Sequence, residues 1–242
     1  MNTELTIIIP AKNEAANIRK LLRSVAKQDY LKTHKVPIII ADADSTDDTR
    51  VQAFMAGVDY RLPSITIIPG GLPAVGRNAG AELATTRYIL FLDADVELED
   101  PALLTTAIDA MQAKALHCLT TDIHVAAPST YWWSDAAYTF SNVCQRGSRF
   151  LGRPFAAGMF MLFDREAFLR LGGFREDAMF AEDYMLSRLV GWRRFRVIPG
   201  GIRTSDRRMR MGFWRLAKLF LITTLLGRRE STFTADRGYW DA

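Results

Sequence analysis

Two carboxylates separated by a single alanine follow an apolar run in the first half of the chain. The run is Tyr88–Leu92, and the carboxylates are Asp93 and Asp95. Because burying an unpaired carboxylate is costly, we expect both side chains at the mouth of a strand, where partners can reach them. Their spacing suits a hard divalent cation that keeps some of its waters and also binds a diphosphate. A surface turn is the alternative interpretation, since turns favour Asp.

Three other apolar runs in the first hundred residues also end in polar residues. Their ends read "IPAKNE", "ADADSTDD" and "GGLPAVGRNAG". Polar residues at four consecutive strand ends favour a nucleotide-binding crevice at one edge of a sheet. The glycine segment does not have the Gly-x-Gly-x-x-Gly spacing, which disfavours a dinucleotide-dependent dehydrogenase.

The apolar runs alternate with helical patterns, which predicts an α/β fold with a mainly parallel central sheet and helices on both faces. The predicted strands are Leu5–Pro10, Val36–Ala41, Ile65–Ile68 and Tyr88–Leu92. Helices are predicted over about Ala16–Ala26 and Ala74–Ala84. A third helix would be capped by Ser45 or Thr46 and would end at Gly57.

The second half of the chain is less regular. We predict strands at Leu119–Val125 and Ala157–Phe163, a helix within Tyr131–Ser148, and a short helix over Glu182–Val190. At 242 residues and with no internal repeat, the chain is predicted to form one compact domain. Its predicted parts are a nucleotide-binding half (1–100), an acceptor-binding half (101–210), and a C-terminal helix and tail (211–242).

The composition is ordinary for a soluble folded protein, with 49% hydrophobic and 24% charged residues. No leader pattern precedes the first strand, and no apolar run reaches the roughly 18 residues that span a bilayer. Cys118 and Cys144 lie far apart and outside any metal-type spacing. We therefore predict two reduced thiols in a cytoplasmic protein, with a disulfide between them as the alternative.

Charge is distributed unevenly along the chain. Residues 1–120 contain fifteen acids and twelve bases, whereas residues 193–229 contain eleven bases and one acid. The basic end suggests an anionic partner such as phosphate, a lipid headgroup or nucleic acid, or else a solvated basic face. The apolar segment 213–226 is too short to span a bilayer, but the pattern over 211–229 suits a helix lying in the membrane interface. A terminal helix packed on the domain is the alternative.

Five segments, in the same order and spacing, resemble the family 2 glycosyltransferases with the GT-A fold. They read "IIIPAKNEAANIRKLLRSV", "IIIADADSTDDT", "GRNAG", "YILFLDAD" and "AAGMFMLFDREAFLRLGGFREDAMFAEDYMLSRL". The resemblance covers nearly the whole chain and implies a nucleotide-sugar donor together with Mn²⁺ or Mg²⁺. The expected partners are that donor and a lipid-linked or glycan acceptor, and not a nucleic acid. We hypothesise a cytoplasmic location at the inner face of the membrane, with peripheral contact through 211–229.

The resemblance also implies roles for residues of the nucleotide-binding half. Pro10, Ala11 and Glu14 would line the nucleoside pocket, and Asp42 would accept a hydrogen bond from the base. Arg77 would sit beside the base or the phosphates.

The diphosphate and the sugar would lie at the end of the fourth strand. Asp93 would face the ribose or the donor sugar, and Asp95 would hold the metal ion with the diphosphate. Arg207 and Arg208 of "TSDRR" would close over the diphosphate, since guanidinium groups bind phosphate in a bidentate manner; a solvated basic turn is the alternative. Asp44 departs from the glycine usual in the family, although Asp tolerates a left-handed conformation better than most residues.

On the acceptor side, the resemblance centres on an acidic pair that opens a predicted helix. Asp183 would deprotonate the acceptor hydroxyl for a single inverting displacement at the anomeric carbon, with Glu182 beside it in the substrate site. Plain N-terminal placement of two acids on a helix is the alternative. Tyr131, Trp132 and Trp133 would either wall the acceptor site or pack in the core.

The resulting prediction is an inverting, metal-dependent glycosyltransferase that uses a nucleotide-sugar, with a UDP-sugar favoured. A sugar nucleotidyltransferase is one alternative, but it would carry a Gly-rich loop with Lys or Arg after the first strand, where this chain reads "AKNEAAN". A non-catalytic nucleotide- or glycan-binding module is the other. Loss of Asp95 or Asp183 would favour that module, and both residues are present.

Overall fold

The computed structural model describes residues 4–126, 129, 131–205, 207, 209, 212 and 214. Arg208 and nearly all of the hypothesised interfacial helix 211–229 lie outside the described residues. Strands in the described part form one mixed sheet: β1 Leu5–Ala11, β2 Ile38–Asp42, β3 Ile65–Pro69, β4 Tyr88–Leu92, β5 Val96–Leu98, β6 Cys118–Val125, β7 Phe160–Asp164 and β8 Phe195–Thr204.

Helices cover both faces of this sheet. They are α1 Ala15–Ala26, α2 Asp29–Thr33, α3 Thr49–Asp59, α4 Pro73–Leu83, α5 Leu103–Lys114, α6 Ser134–Ser148, α7 Arg165–Arg170 and α8 Glu182–Ser187, with 3₁₀ turns at Arg149–Leu151 and Trp192–Arg194. Successive residues of a strand point to opposite faces. Accordingly, Ile7 and Ile9 pack in one core with α1 and α5, whereas Ile8 packs in a second core with α4.

The strand order β3-β2-β1-β4-β7-β6-β8-β5 places a crossover at the centre of the nucleotide-binding half. The chain runs outward from β1 through β2 to β3 and then returns to lay β4 on the other side of β1. These four strands are parallel, so their carboxyl ends meet at one edge. A crevice outside the point where strand order reverses is the usual ligand site of such sheets. Pro10 and Ala11 end β1 there, and Asp93 and Asp95 follow β4.

The predicted α/β fold class is confirmed, and the predicted strands of the first half match β1 to β4. The second half is mixed rather than parallel, because β7 runs antiparallel to both β4 and β6. Helix α5 and strands β5 and β8 were not among the predicted elements. The predicted cap of α3 is wrong: the helix begins at Thr49, and Ser45 and Thr46 instead bond to Asn13 in the neighbouring loop.

Close packing of α4 on the sheet requires glycine at position 80. A Cβ atom built there would lie 2.5 Å from Cγ2 of Ile8, a fully buried side chain of β1. Helix α4 carries Arg77 and Asn78, so its close approach to the sheet also sets their height above the strand ends.

We predict that Gly80→Ala lowers the free energy of unfolding by about 1–3 kcal/mol, because an overpacked core must shift side chains or backbone. Urea denaturation followed by circular dichroism is the measurement. Gly147→Ala is the matched control, since Gly147 also lies in a helix but a Cβ there meets nothing within 4 Å. The control should be neutral or gain up to about 1 kcal/mol from helix propensity. Equal effects of the two substitutions would contradict the packing argument.

Candidate active site

The loops that follow β1 and β2 are cross-linked to each other. The Asn13 N–H donates to Oγ of Ser45 at 2.9 Å, and the Asn13 side chain accepts from the Thr46 N–H at 2.9 Å. The Glu14 N–H donates to Oγ1 of Thr49 at 2.7 Å. The backbone of Asp44 lies in the left-handed region (φ 51°), which favours glycine but which Asp tolerates better than most residues. The two loops therefore form one hydrogen-bonded wall of the crevice.

Asp42 is buried at the end of β2, beside Ala11 of β1. Its Oδ2 accepts from Nε of Arg50 at 2.6 Å and from the Ser45 N–H at 3.1 Å. Its Oδ1 is buried and has no hydrogen-bond partner among the described residues. Leaving a buried carboxylate oxygen unpaired is costly, so this atom is a candidate acceptor for a donor group on a ligand.

Arg207 connects the loop after β1 with the turn after β4. Its Nη1 lies 2.7 Å from Oε1 of Glu14, and its Nη2 lies 3.4 Å from Oδ2 of Asp95. Ser205 Oγ donates to the same Asp95 oxygen at 2.9 Å. Burial raises the pKa of Glu14, and hydrogen bonds from Asn17 and Arg207 oppose that rise. The structure thus brings Glu14, Asp95 and Arg207 together; Arg208 is outside the described residues.

Arg77 is the best-buried cation of the described site, at 1% exposure. Its Nη2 donates to Oδ1 of Asp93 at 2.6 Å, and its Nη1 donates to Oε1 of Glu182 at 2.7 Å. Its guanidinium carbon lies 5.2 Å from the centre of the Phe174 ring. Burial alone would lower the pKa of Arg77, but the carboxylates of Asp93, Glu182 and Asp183 outweigh it and keep the pKa raised.

The guanidinium of Arg77 is enclosed, and both of its terminal nitrogens are bound to protein carboxylates. A position beside the base or the phosphates therefore stays a prediction for this residue. The same contacts orient Asp93 and Glu182, which are themselves buried. The network therefore joins the turn after β4 to the start of α8.

Asp183 stands next to this network and remains partly accessible to solvent. Its Oδ2 accepts from the Gly158 N–H at 2.6 Å, and its Oδ1 accepts from the Tyr184 N–H at 2.7 Å. Burial and the neighbouring Glu182 raise the pKa of Asp183 to about 6, while Arg77 and the two N–H groups oppose the rise. Ala181, in the left-handed region (φ 58°), turns the chain into α8 at this point. A carboxylate with such a pKa can accept a proton near neutral pH.

Sequence reasoning missed the role of Asn78, although the motif "GRNAG" contains it. Its Nδ2 donates to the carbonyl of Phe174 at 2.8 Å, and its Oδ1 accepts from the Phe174 N–H at 3.0 Å. This paired contact fixes the loop before α8, and with it the ring that lies against Arg77. An Asn directly after a buried Arg was the available signal, but its partner is 96 positions away.

The three aromatic residues before α6 do not share one role. Tyr131 and Trp133 are partly buried and pack against the larger core, as the alternative interpretation expected. Trp132 is 93% exposed. Cys118 and Cys144 are both free thiols, as predicted, but only Cys118 is buried.

The sequence profile of Glycosyl transferase family 2 matches residues 6–172, more than half of the chain. The chain belongs to this family. It is 31% identical over 110 residues to 4,4'-diaponeurosporenoate glycosyltransferase of Staphylococcus haemolyticus, a match that covers 44% of this chain and 28% of that protein. Poly(ribitol-phosphate) beta-N-acetylglucosaminyltransferase TarS of Staphylococcus aureus is 31% identical over 94 residues, which is 38% of this chain and 16% of TarS. The matches therefore span less than a third of these curated relatives.

Solved structures confirm the GT-A fold. The mannosyltransferase PcManGT from Pyrobaculum calidifontis, in complex with GDP-Man and Mn²⁺, superposes with a TM-score of 0.67 at 22% identity, over 85% of this chain and 57% of that one. TarS 1-349 of S. aureus, in complex with UDP-GlcNAc, superposes with a TM-score of 0.60 at 20% identity, over 82% and 58% of the two chains. Within the described residues, no helix is long and apolar enough to cross a membrane.

We predict that Arg77→Met destabilises the protein by about 3–5 kcal/mol, because Asp93 and Glu182 would be left buried without a counter-charge. Thermal and urea unfolding measure the loss. Arg19→Met is the control, since it breaks a solvent-exposed ion pair with Asp59 and should change stability little. A small effect of Arg77→Met would show that the buried network does not hold the two halves together.

Proposed function

We propose that this chain is an inverting, metal-dependent glycosyltransferase that moves a sugar from a nucleotide-sugar, preferably a UDP-sugar, to an acceptor hydroxyl. The observation that carries the proposal is the convergence of two chemistries on one buried network. Asp93, at the donor-side strand end, and Glu182, next to the candidate base Asp183, bind the same guanidinium of Arg77. A group transfer requires donor and acceptor sites at this proximity.

Donor binding would use the wall formed by the first two loops. Pro10, Ala11 and Glu14 border the crevice at the end of β1, and Asp42 offers its unpaired Oδ1 to an N–H of the base. A base that donates a hydrogen bond to this buried acceptor binds more tightly than a base that leaves it unpaired, which gives selectivity for the base. The donors bound in the two similar solved structures, GDP-Man and UDP-GlcNAc, support the nucleotide-sugar class.

Asp95 is the residue best placed to hold the divalent ion. Its side chain is almost enclosed, and its Oδ1 makes no hydrogen bond with a described residue. Among the described residues, no three His, Cys, Asp or Glu side chains converge on one point. That arrangement fits an ion held by one carboxylate and completed by diphosphate and water oxygens, as Mg²⁺ prefers. Once bound, the ion would stabilise the negative charge of the departing diphosphate.

The remaining chemistry belongs to the protein's own groups. Asp183 would take the proton of the acceptor hydroxyl while the hydroxyl oxygen forms its bond to the anomeric carbon. The bond from that carbon to the diphosphate oxygen breaks, and the nucleoside diphosphate leaves with the electron pair. Arg207, which contacts both Glu14 and Asp95, would turn toward the diphosphate, because guanidinium groups bind phosphate oxygens strongly. Attack opposite the leaving group inverts the anomeric configuration.

For the acceptor we propose a lipid-linked or glycan hydroxyl, and for the location the cytoplasmic face of a membrane. The free thiols Cys118 and Cys144 agree with a reducing compartment. A nucleotidyltransferase remains the rival class, and product analysis separates the two. Mass spectrometry of a nucleotide-sugar panel should show release of the nucleoside diphosphate, whereas the rival reaction consumes or forms pyrophosphate.

Metal-dependent donor binding gives the first functional prediction. Asp95→Asn keeps the side-chain size but weakens the ion site, so UDP affinity measured by calorimetry with Mn²⁺ should fall at least about tenfold. A chelator should lower wild-type affinity similarly and have little further effect on the variant. Asp109→Asn, an exposed carboxylate on α5, is the control and should bind as wild type. Wild-type affinity in both Asp95→Asn and chelated protein would rule out the ion's role at this residue.

The second functional prediction concerns the base. Asp183→Asn should leave UDP binding intact and lower kcat by roughly 10²-fold or more, because general-base help is worth about that much. In the wild type, the rate should rise with pH through about 6, where Asp183 loses its proton. Asp177→Asn is the control, since Asp177 lies in the same half but pairs with Arg175 at the surface. If Asp183→Asn transferred sugar at near the wild-type rate, a group other than Asp183 would have to accept the proton of the acceptor hydroxyl.

A further inference from the structure

Helix α6 has the reverse of the usual polarity of a surface helix. Its buried positions are Ser134, Tyr138, Gln145 and Ser148. Tyr138 packs in the larger core, but the other inner side chains make polar contacts. Oε1 of Gln145 accepts from the Ala157 N–H at 2.9 Å, and Oγ of Ser148 accepts from the Phe155 N–H at 2.9 Å. A surface helix normally places its apolar stripe on the core and its polar face in water.

The outward face of α6 carries an apolar stripe instead. Its members recur every three or four residues, from the turn before the helix into the 3₁₀ turn after it: Trp132, Ala136, Phe140, Val143, Gly147 and Phe150. Val143 is 62% exposed, Phe150 75% and the adjoining Leu151 81%. Contiguous exposed apolar surface of this kind marks an interaction site more often than isolated exposed side chains do.

Arginines surround the end of the stripe. The guanidinium of Arg149 lies 4.6 Å from the centre of the Phe150 ring, and Arg153 follows Leu151 closely in the chain. The 3₁₀ turn Trp192–Arg194 packs against the turn Arg149–Leu151 and adds Arg193, with Arg196 nearby. Burial and the proximity of Arg149 lower the pKa of Arg196, which agrees with a positive local potential.

Acids are scarce in these segments. Residues 131–157 contain a single acid, Asp135, at the far end of α6, and residues 188–205 contain none. Among the described residues, no acid forms an ion pair with Arg149, Arg153, Arg193 or Arg196. A surface that combines such cations with exposed aromatic and aliphatic groups is complementary to the headgroup region of an anionic bilayer.

A second exposed apolar stripe in the same protein shows that charge distinguishes the two surfaces. On α3, the exposed side chains are Val51, Phe54, Met55 and Val58. Segment 44–61 contains four acids, Asp44, Asp47, Asp48 and Asp59, and two bases, Arg50 and Arg61. Arg50 pairs with Asp44, and Arg19 pairs with Asp59. The α3 stripe therefore lacks the excess of cations that would attract an anionic bilayer to the α6 stripe, although the apolar surfaces are alike.

We propose that the outward stripe of α6, with Phe150, Leu151 and the arginines around them, is a docking surface for an anionic lipid bilayer. Two other occupants fit the charges poorly. A second copy of the chain, related by a two-fold axis, would bring the arginines of both copies together. The segment 207–229 of the same chain is itself strongly basic, with seven bases and no acid. The inference is separate from the transferase proposal and from the hypothesised helix 211–229, and its readout is binding alone.

The test is sedimentation of the full-length chain with vesicles of phosphatidylcholine alone or with about 30% phosphatidylglycerol. We expect binding to the anionic vesicles that weakens with salt. Phe150→Glu should lower the partition coefficient at least about tenfold, since it replaces an inserted ring by a repelled charge. Phe54→Glu is the matched control: its ring is 65% exposed and on the acidic stripe, so binding should be unchanged.

A second variant, Arg149→Gln with Arg193→Gln, leaves the apolar stripe intact and should weaken binding to anionic vesicles only. Both variants change exposed or half-exposed side chains, and circular dichroism verifies their fold. The proposal is overturned if Phe150→Glu binds as well as Phe54→Glu, whether or not 211–229 provides binding. It is also overturned if the full-length chain stays in solution with anionic vesicles. Conversion of a dimer to a monomer by Phe150→Glu in size-exclusion chromatography would instead assign the stripe to a second copy.

Discussion

The contact on which the site depends is the enclosed guanidinium of Arg77 between the carboxylates of Asp93 and Glu182. None of the three charges tolerates burial alone, because desolvating one ion costs several kcal/mol before any attraction is gained. The turn after β4 and the start of α8 must therefore reach their final positions together. Gly158 lies in the same space: a Cβ there would approach Nη2 of Arg77 at 3.0 Å and Oδ2 of Asp183 at 3.2 Å. Asp183, the proposed base, is thus positioned by the same cluster that orients Asp93.

Much of the nucleotide-binding half could be predicted from local pattern. Apolar runs such as Tyr88–Leu92 are buried throughout, and the parallel arrangement follows from their alternation with helices. Once strands are parallel, residues at their carboxyl ends share an edge, so Ala11, Asp42 and Asp95 come together without any knowledge of long-range contacts. Asp44 shows the same locality, because a left-handed position in a short loop needs only a residue type that tolerates it.

What escaped prediction depends on partners distant in sequence. Arg77 finds Asp93 after 16 positions but Glu182 only after 105, and nothing local distinguishes a phosphate-binding arginine from one paired inside the protein. Strands β5 and β8 pair with each other across a similar interval, from Val96 to Thr204. The orientation of helix α6 escaped prediction for a different reason. Apolar periodicity identifies a helix but assumes that its apolar face is the buried one. Here neighbouring backbone N–H groups donate hydrogen bonds to polar side chains on the inner face, which favours the opposite orientation.

The arrangement of the cluster also explains how Arg77 can pair with Asp93 and Glu182 and still leave Asp183 able to accept a proton. A guanidinium bonded directly to Asp183 would hold its proton affinity low and make it a poor base. The terminal nitrogens of Arg77 instead donate hydrogen bonds to Asp93 and Glu182, and the charge of Arg77 acts on Asp183 only through space. Burial and the neighbouring Glu182 together raise the pKa of Asp183 to about 6. Two N–H groups then stabilise the deprotonated form sufficiently for it to persist at neutral pH. A base whose pKa lies just below the working pH is both free of its proton and able to accept one, which is the condition that general-base catalysis requires.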